Sequence, residues 1–269
     1  MTIVARMWRN WRRGVVLRLN MKRSLLATAG AVALCGLLPA AADATITELG
    51  ATTSPLVAPV CPKGVPPSQC TIILTRATAL ETIRDNIAYP SKVKQGGRVV
   101  AFSVGLSALS SNASTAASDV KFLDTAYGGN AQVQITVLKP VGKRNKWTWQ
   151  VVAQSPVVDV QSYLGQVAQF PLATSIPVVR GETIALTTPT WAPVRSIDLP
   201  TNHFAYRQSR SRNCFIPPVS SQAQLTIGAS TAYSCDYPGT RVEYSATEVT
   251  NPVPTKTTPT KPTTKGRRK

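Results

Sequence analysis

Alternation at period two, broken by glycine and proline turns, is the feature that most limits what this chain can become. In Gln132-Val133-Gln134-Ile135-Thr136-Val137 one face is Val/Ile/Val and the other is Gln/Gln/Thr. Val100, Phe102 and Val104 alternate with polar or small neighbours, as do Trp147, Trp149, Val151 and Ala153. Ala168, Phe170 and Leu172 repeat the pattern, and so do Ile184 and Leu186. Near the end, Val242, Tyr244 and Ala246 oppose Arg241, Glu243, Ser245 and Thr247. Leu225 and Ile227 suit one more short strand. Side chains of a strand alternate between two faces, so each run reads as a strand with one apolar face. The turns fall at Gly96-Gly97, Gly128-Gly129-Asn130, Pro140-Val141-Gly142 and Arg180-Gly181. Only Ala117 to Tyr127 reads as helix, with Ser118 as cap and Val120, Phe122 and Leu123 as apolar residues. Short strands without a βαβ pattern imply two packed antiparallel sheets. The expectation is an all-β, jelly-roll-like antiparallel β-sandwich of about eight strands with one short helix. An immunoglobulin-like sandwich is the alternative, but the body is long for one such domain.

The two ends of the chain differ from this body. Met21-Lys22-Arg23, the uncharged run Leu25 to Leu38, and Pro39 before Ala40-Ala41-Ala42-Asp43-Ala44 form the three parts of a secretory signal. Residues 1–44 are therefore read as a signal peptide cut after Ala44, with Met21 as the expected start. Arg12-Arg13 offers a weaker twin-arginine alternative. Residues 45–60 read as a lead, 61–250 as the sandwich, and 251–269 as a disordered basic tail of Pro, Thr and Lys. The whole chain has 30 Lys+Arg against 12 Asp+Glu, a net +18. Losing residues 1–44 removes seven bases and one acid and leaves a net +12, half of it in the tail.

Four of the five cysteines remain after export: Cys61, Cys70, Cys214 and Cys235. An even number in an exported chain reads as disulfides, here Cys61–Cys70 and Cys214–Cys235. A zinc site is the rival, but no C-x-x-C spacing occurs and the chain has a single histidine. No metal and no cofactor is expected.

The body also resembles a group of uncharacterised secreted β-sandwich proteins of high-GC Gram-positive soil bacteria. The resemblance is carried by Gly96-Gly97-Arg98-Val99-Val100, Ile135-Thr136-Val137-Leu138-Lys139-Pro140, Val151-Val152-Ala153-Gln154-Ser155-Pro156, Phe170-Pro171-Leu172, Val178 to Leu186, and Thr190-Trp191-Ala192-Pro193. It implies a secreted β-sandwich and carries no activity or catalytic residues with it.

His203 is the single histidine, so a serine or cysteine triad would have to use it, with Asp198 to orient it. No G-x-S-x-G elbow supplies a nucleophile. A glycosidase needs two converging carboxylates. Asp119/Asp124 and Glu243/Glu248 are the nearby acid pairs, and nothing in the sequence selects them. The stretch Thr187 to Gln224 combines Trp191, Phe204 and Tyr206 with Arg207, Arg210 and Arg212. Guanidinium forks suit anionic groups and aromatic rings can stack on sugars, so these six are the candidate binding residues. Lys139 to Lys146 is a basic hairpin tip before Trp147 and Trp149. The tail suits loose, salt-sensitive contact with a polyanion. The expectation is an extracellular or cell-surface, non-enzymatic binding or structural module. Its partner would be an anionic cell-wall polymer or a glycan, with no specific nucleic acid and no transmembrane segment in the mature chain. A carbohydrate-binding module and a His203-dependent hydrolase are the alternatives.

Overall fold

The computed structural model describes residues 44–65, 69–141, 148–209 and 222–252. Outside them lie the segment expected as a signal peptide up to residue 43, Lys143 to Trp147, Arg210, Arg212, Cys214 and the residues from 253 onward.

The described chain forms fifteen strands and one α-helix. The strands are β1 (Ile46–Leu49), β2 (Leu74–Arg84), β3 (Ile87–Ala88), β4 (Gly97–Gly105), β5 (Gln132–Pro140), β6 (Thr148–Gln154), β7 (Val158–Asp159) and β8 (Val167–Val178). They continue with β9 (Thr183–Ala192), β10 (Arg195–Ser196), β11 (Phe204–Gln208), β12 (Ser230–Ala232), β13 (Cys235–Pro238), β14 (Arg241–Val242) and β15 (Tyr244–Thr250). All pairings are antiparallel. A four-stranded sheet runs β1-β15-β4-β8, and a nine-stranded sheet follows the path β12-β6-β5-β9-β2-β11-β13, with β3 and β7 attached beside it. The sheets curl into a half-barrel, an all-β, sandwich-like fold.

The main core lies between the two sheets. Val133, Ile135 and Val137 of β5, Ile184, Leu186 and Trp191 of β9, and Tyr206 of β11 meet Phe102 and Val104 of β4, Phe170 of β8, and Tyr244 and Ala246 of β15. Apart from Tyr206 and Trp191, the latter on the opposite parity of β9 from Ile184 and Leu186, these are residues that period two places on one face. In β4, however, bulges shift the pairing between Val99 and Ala101 on the β8 side and between Thr247 and Glu248 on the β15 side. An extra residue flips the face of everything beyond it. Val99 therefore points inward with Phe102 and Val104, while Val100 stays half-buried.

The back of the large sheet is covered too. Leu80, Leu138, Trp149, Val151, Ala185 and Tyr233 form a second apolar cluster there. Beside it runs a ladder of hydroxyls. Thr78 Oγ1 lies 2.7 Å from Thr187 Oγ1, which lies 2.7 Å from Thr136 Oγ1. Gln154 Nε2 donates to Thr136 at 3.2 Å, and the Gln224 amide donates to Thr78 at 2.9 Å. Each threonine thus exchanges water for a neighbour's hydroxyl, which is what makes a polar strand face tolerable in the interior. Leu225 and Ile227 lie outside any strand, at 53% and 63% exposure.

The helix α1 spans Ala113–Tyr127. It begins four residues before the expected Ala117. Asn112, not Ser118, is its cap: Asn112 Oδ1 accepts from the Thr115 amide at 3.0 Å. Its C-terminus closes on Gly128 in the left-handed region. Leu123 is buried, but Phe122 is 67% exposed and contributes nothing to the core. No helix among the described residues is long and apolar enough to cross a membrane.

The segment expected as a lead is part of the fold. Ile46–Leu49 pairs with Leu49↔Ala246 through Ile46↔Val249, forming an edge of the small sheet. Residues 51–60 then cross the sandwich as an extended strap and end at the Cys61–Cys70 disulfide, whose Cα atoms lie 5.7 Å apart. Cys235 is also disulfide-bonded.

Candidate functional site

The strap covers a group of ionisable side chains that the sheets bring together from opposite ends of the chain. Glu81 and Arg84 stand on β2. Arg241 is on β14, and Glu243 follows it between β14 and β15. Glu81 and Glu243 are both 0% exposed, Arg84 is 1% and Arg241 is 4% exposed. Charges in the interior must be paired and hydrogen-bonded to persist. Glu243 Oε2 pairs with Arg241 at 2.9 Å, and its Oε1 accepts from Ser196 Oγ at 2.6 Å. Glu81 Oε2 faces Arg84 at 3.4 Å, and Oε1 accepts from the Val242 amide at 3.2 Å. The Tyr244 hydroxyl donates to the Ile184 carbonyl at 2.9 Å.

The same groups grip the strap. Arg241 donates to the carbonyls of Ser54 and Pro55 at 3.2 and 2.6 Å. Arg84 donates to the Tyr244 carbonyl at 3.1 Å and to Ser54 at 3.4 Å. Glu243 Oε2 accepts from the Val57 amide at 3.4 Å. Next to the network, Asp85 accepts from Thr52 Oγ1 at 2.6 Å, the Ser54 amide at 2.8 Å and Ser54 Oγ at 2.7 Å. Asp85 and Asn86 take φ values of 50° and 64° and turn β2 into β3. Such residues tolerate the left-handed region that a two-residue hairpin requires. Underneath, a Cβ on Gly105 would collide with the Val57 carbonyl, so only glycine admits the strap at that point.

Electrostatics follow from burial. Desolvation pushes the Glu81 carboxyl up to about 8, against the pull of Arg84, with Glu243 adding to the rise. Desolvation likewise lifts Glu243 to about 7, with Ser196 and Arg84 opposing. Asp85 moves the other way: burial works against its charge, but the Thr52 and Ser54 bonds outweigh it and lower it to about 2. Two carboxyls with raised pKa values side by side are the usual mark of acid–base chemistry. Here both are enclosed, and their oxygens are held by the chain's own donors. Glu243 reaches the strap directly through the Val57 amide, and Glu81 stands behind it on Arg84.

The acid pairs singled out by the sequence lead elsewhere. Asp124 accepts from Trp191 Nε1 at 3.0 Å and from Gln161 at 3.2 Å. Asp119 lines a groove of about 510 Å³ beside Cys61, Ser107 and Thr115. Glu248 lies on β15 away from Glu243. The partner of Glu243 is instead Glu81, which the sequence reading passed over.

The candidate binding residues are not gathered on a surface. Trp191 is 0% exposed and its indole N–H also donates to the Gly129 carbonyl at 3.0 Å. Tyr206 is 0% exposed, stacks on Tyr237 with centroids 4.8 Å apart, and accepts from Arg195 at 2.8 Å. Phe204 is buried at 8% exposure. These three therefore present no ring to a ligand, which corrects the reading of Trp191, Phe204 and Tyr206 as a stacking platform. Arg207 donates to the carbonyls of Tyr233 and Ser234 at 3.1 and 3.2 Å and lies 3.7 Å from Asp236. Arg210 and Arg212 are outside the described residues. His203 sits in the turn before β11, its ring 6.4 Å from that of Phe204, while Asp198 is exposed at φ 60°. No three His, Cys, Asp or Glu side chains among the described residues group as a metal site.

No family model, no curated protein and no solved structure matches this chain.

Proposed function

We propose that this protein is an exported, non-catalytic contact module that the basic tail holds against anionic polymer at the cell surface. The observation that carries the reading is the closed state of the Glu81–Glu243 pair. It is the strongest acid–base arrangement among the described residues, and its contacts run to the strap. Trp191, Phe204 and Tyr206 are likewise spent on the core. The Cys61–Cys70 bridge supports an oxidising destination. The six bases of the tail, with no acid among residues 251–269, supply sequence-independent attraction.

The test is retention. Whole cells expressing the full chain are washed in about 1 M salt, where the screening length shrinks to roughly 3 Å. A second strain expresses the chain without residues 253–269. Release by both treatments is expected. Retention that survives both would overturn the reading, as would turnover of any ester, glycoside or peptide substrate that His203→Ala abolishes.

A further inference from the structure

The groove of about 510 Å³ beside Asp119 continues past the Cys61–Cys70 bridge. A further part, of about 250 Å³, shares Cys61, Leu109 and Asp119 with it and adds Ile73, Phe122 and Leu123. Helix α1 supplies one wall. Thr115, Asp119, Phe122 and Leu123 follow one another at intervals of four, three and one, so they share a face. Leu123 is buried in the core, which turns that face toward the sandwich. Asp119 stands one turn before it, half-buried, with no hydrogen-bond or ion-pair partner among the described residues. A second wall carries a strained residue. Leu109 has φ 67°, and the Ser110 amide donates to the Ala108 carbonyl at 2.8 Å. A bond of that span about a positive φ is the rare form of the γ-turn, and a bulky side chain seldom takes it. Such strain persists only where the surroundings impose it, and it gathers at ligand clamps. Here it sets Leu109 at both parts of the groove.

The charges sort the occupants. No Lys or Arg lines either part, although the chain has 30 of them against 12 acids. The cation that Asp119 lacks must come from the occupant. Apolar side chains beside the carboxylate call for a hydrocarbon body as well. The residues from 254 onward carry charge but no Leu, Ile, Phe or other large apolar side chain, which favours a separate molecule. The larger part falls within the roughly 300–1,000 Å³ of small-molecule sites. We propose that this groove binds a small amphipathic amine, with its ammonium on Asp119 and its body along Leu109, Ile73 and Phe122.

Titration calorimetry of the full chain with hexylamine, methylamine and hexanoate tests this. Saturable binding of hexylamine is expected, with methylamine and hexanoate each weaker by about tenfold or more. Asp119→Asn should weaken hexylamine by about tenfold, or about 1.4 kcal/mol, and Phe122→Ser should weaken it too. Both side chains stand outside the core, so an unchanged urea midpoint should accompany each loss. No saturation by hexylamine, equal affinity for methylamine or hexanoate, or unchanged affinity in Asp119→Asn would each overturn the proposal. Binding that appears only without residues 253–269 would assign the groove to the tail, and a dimer that hexylamine dissociates would assign it to a second copy; either result also overturns it.

Discussion

Arg241 holds two strap carbonyls and one buried carboxylate at once. Removing one partner of a buried ion pair leaves the other charged and unsatisfied, so Arg241→Met should cost about 3–5 kcal/mol in urea unfolding. A loss under about 1 kcal/mol would show that the strap does not depend on it. Trp191 fills the core and donates twice through its indole. Trp191→Ala should cost about 3–5 kcal/mol, read as a shift in the denaturation midpoint. Neither role could be read locally. Glu81 and Glu243 lie 162 positions apart, and strand pairing alone brings them together. The faint signal was an acid and an arginine three positions apart, Glu81 and Arg84, in a threonine-rich strand. Trp191 looked like a sugar platform because a sequence does not tell a buried aromatic from an exposed one.

At the scale of elements, the strands with one face in the main core were legible. β5, β8, β9 and β15 stand where alternation places them. The central strand β2 was not, because it is buried on both faces and shows no clean period of two. β1 was too short to stand out, and its partner β15 is far along the chain. Alternation does not tell whether the polar face of a strand meets water: Thr136 of β5, Ser245 of β15 and Glu243 just before β15 are all buried. The covering segments that bury them have no periodicity to announce them. The Cys61–Cys70 pairing was legible, since nine positions separate two cysteines around a proline-rich loop. It fixes the far end of the strap. The Cys61→Ser/Cys70→Ser pair should lower stability by about 2–4 kcal/mol, mainly by freeing the unfolded chain. Faster amide exchange at Ser54 and Val57 should accompany it, and unchanged exchange there would separate the disulfide from the strap.

For the whole molecule, the two raised carboxyls make stability depend on pH in a definite direction. Glu243 at about 7 and Glu81 at about 8 bind protons more tightly when folded than their ordinary 4.5. Their contribution is complete below about pH 4.5 and is lost as pH rises through 7 and then 8. Burial raises Glu248 as well, in the same sense. Asp85, lowered to about 2, keeps its contribution throughout this range and loses it only in strong acid. The central claim is that enclosed Glu243, with Arg84 and Arg241, locks the strap to the sandwich. Urea unfolding of the wild type and Glu243→Gln from about pH 5 to about pH 8 tests it most directly. The account predicts that wild-type stability falls steadily across that interval and that the variant falls less. A wild-type stability that is flat or rises with pH would contradict it.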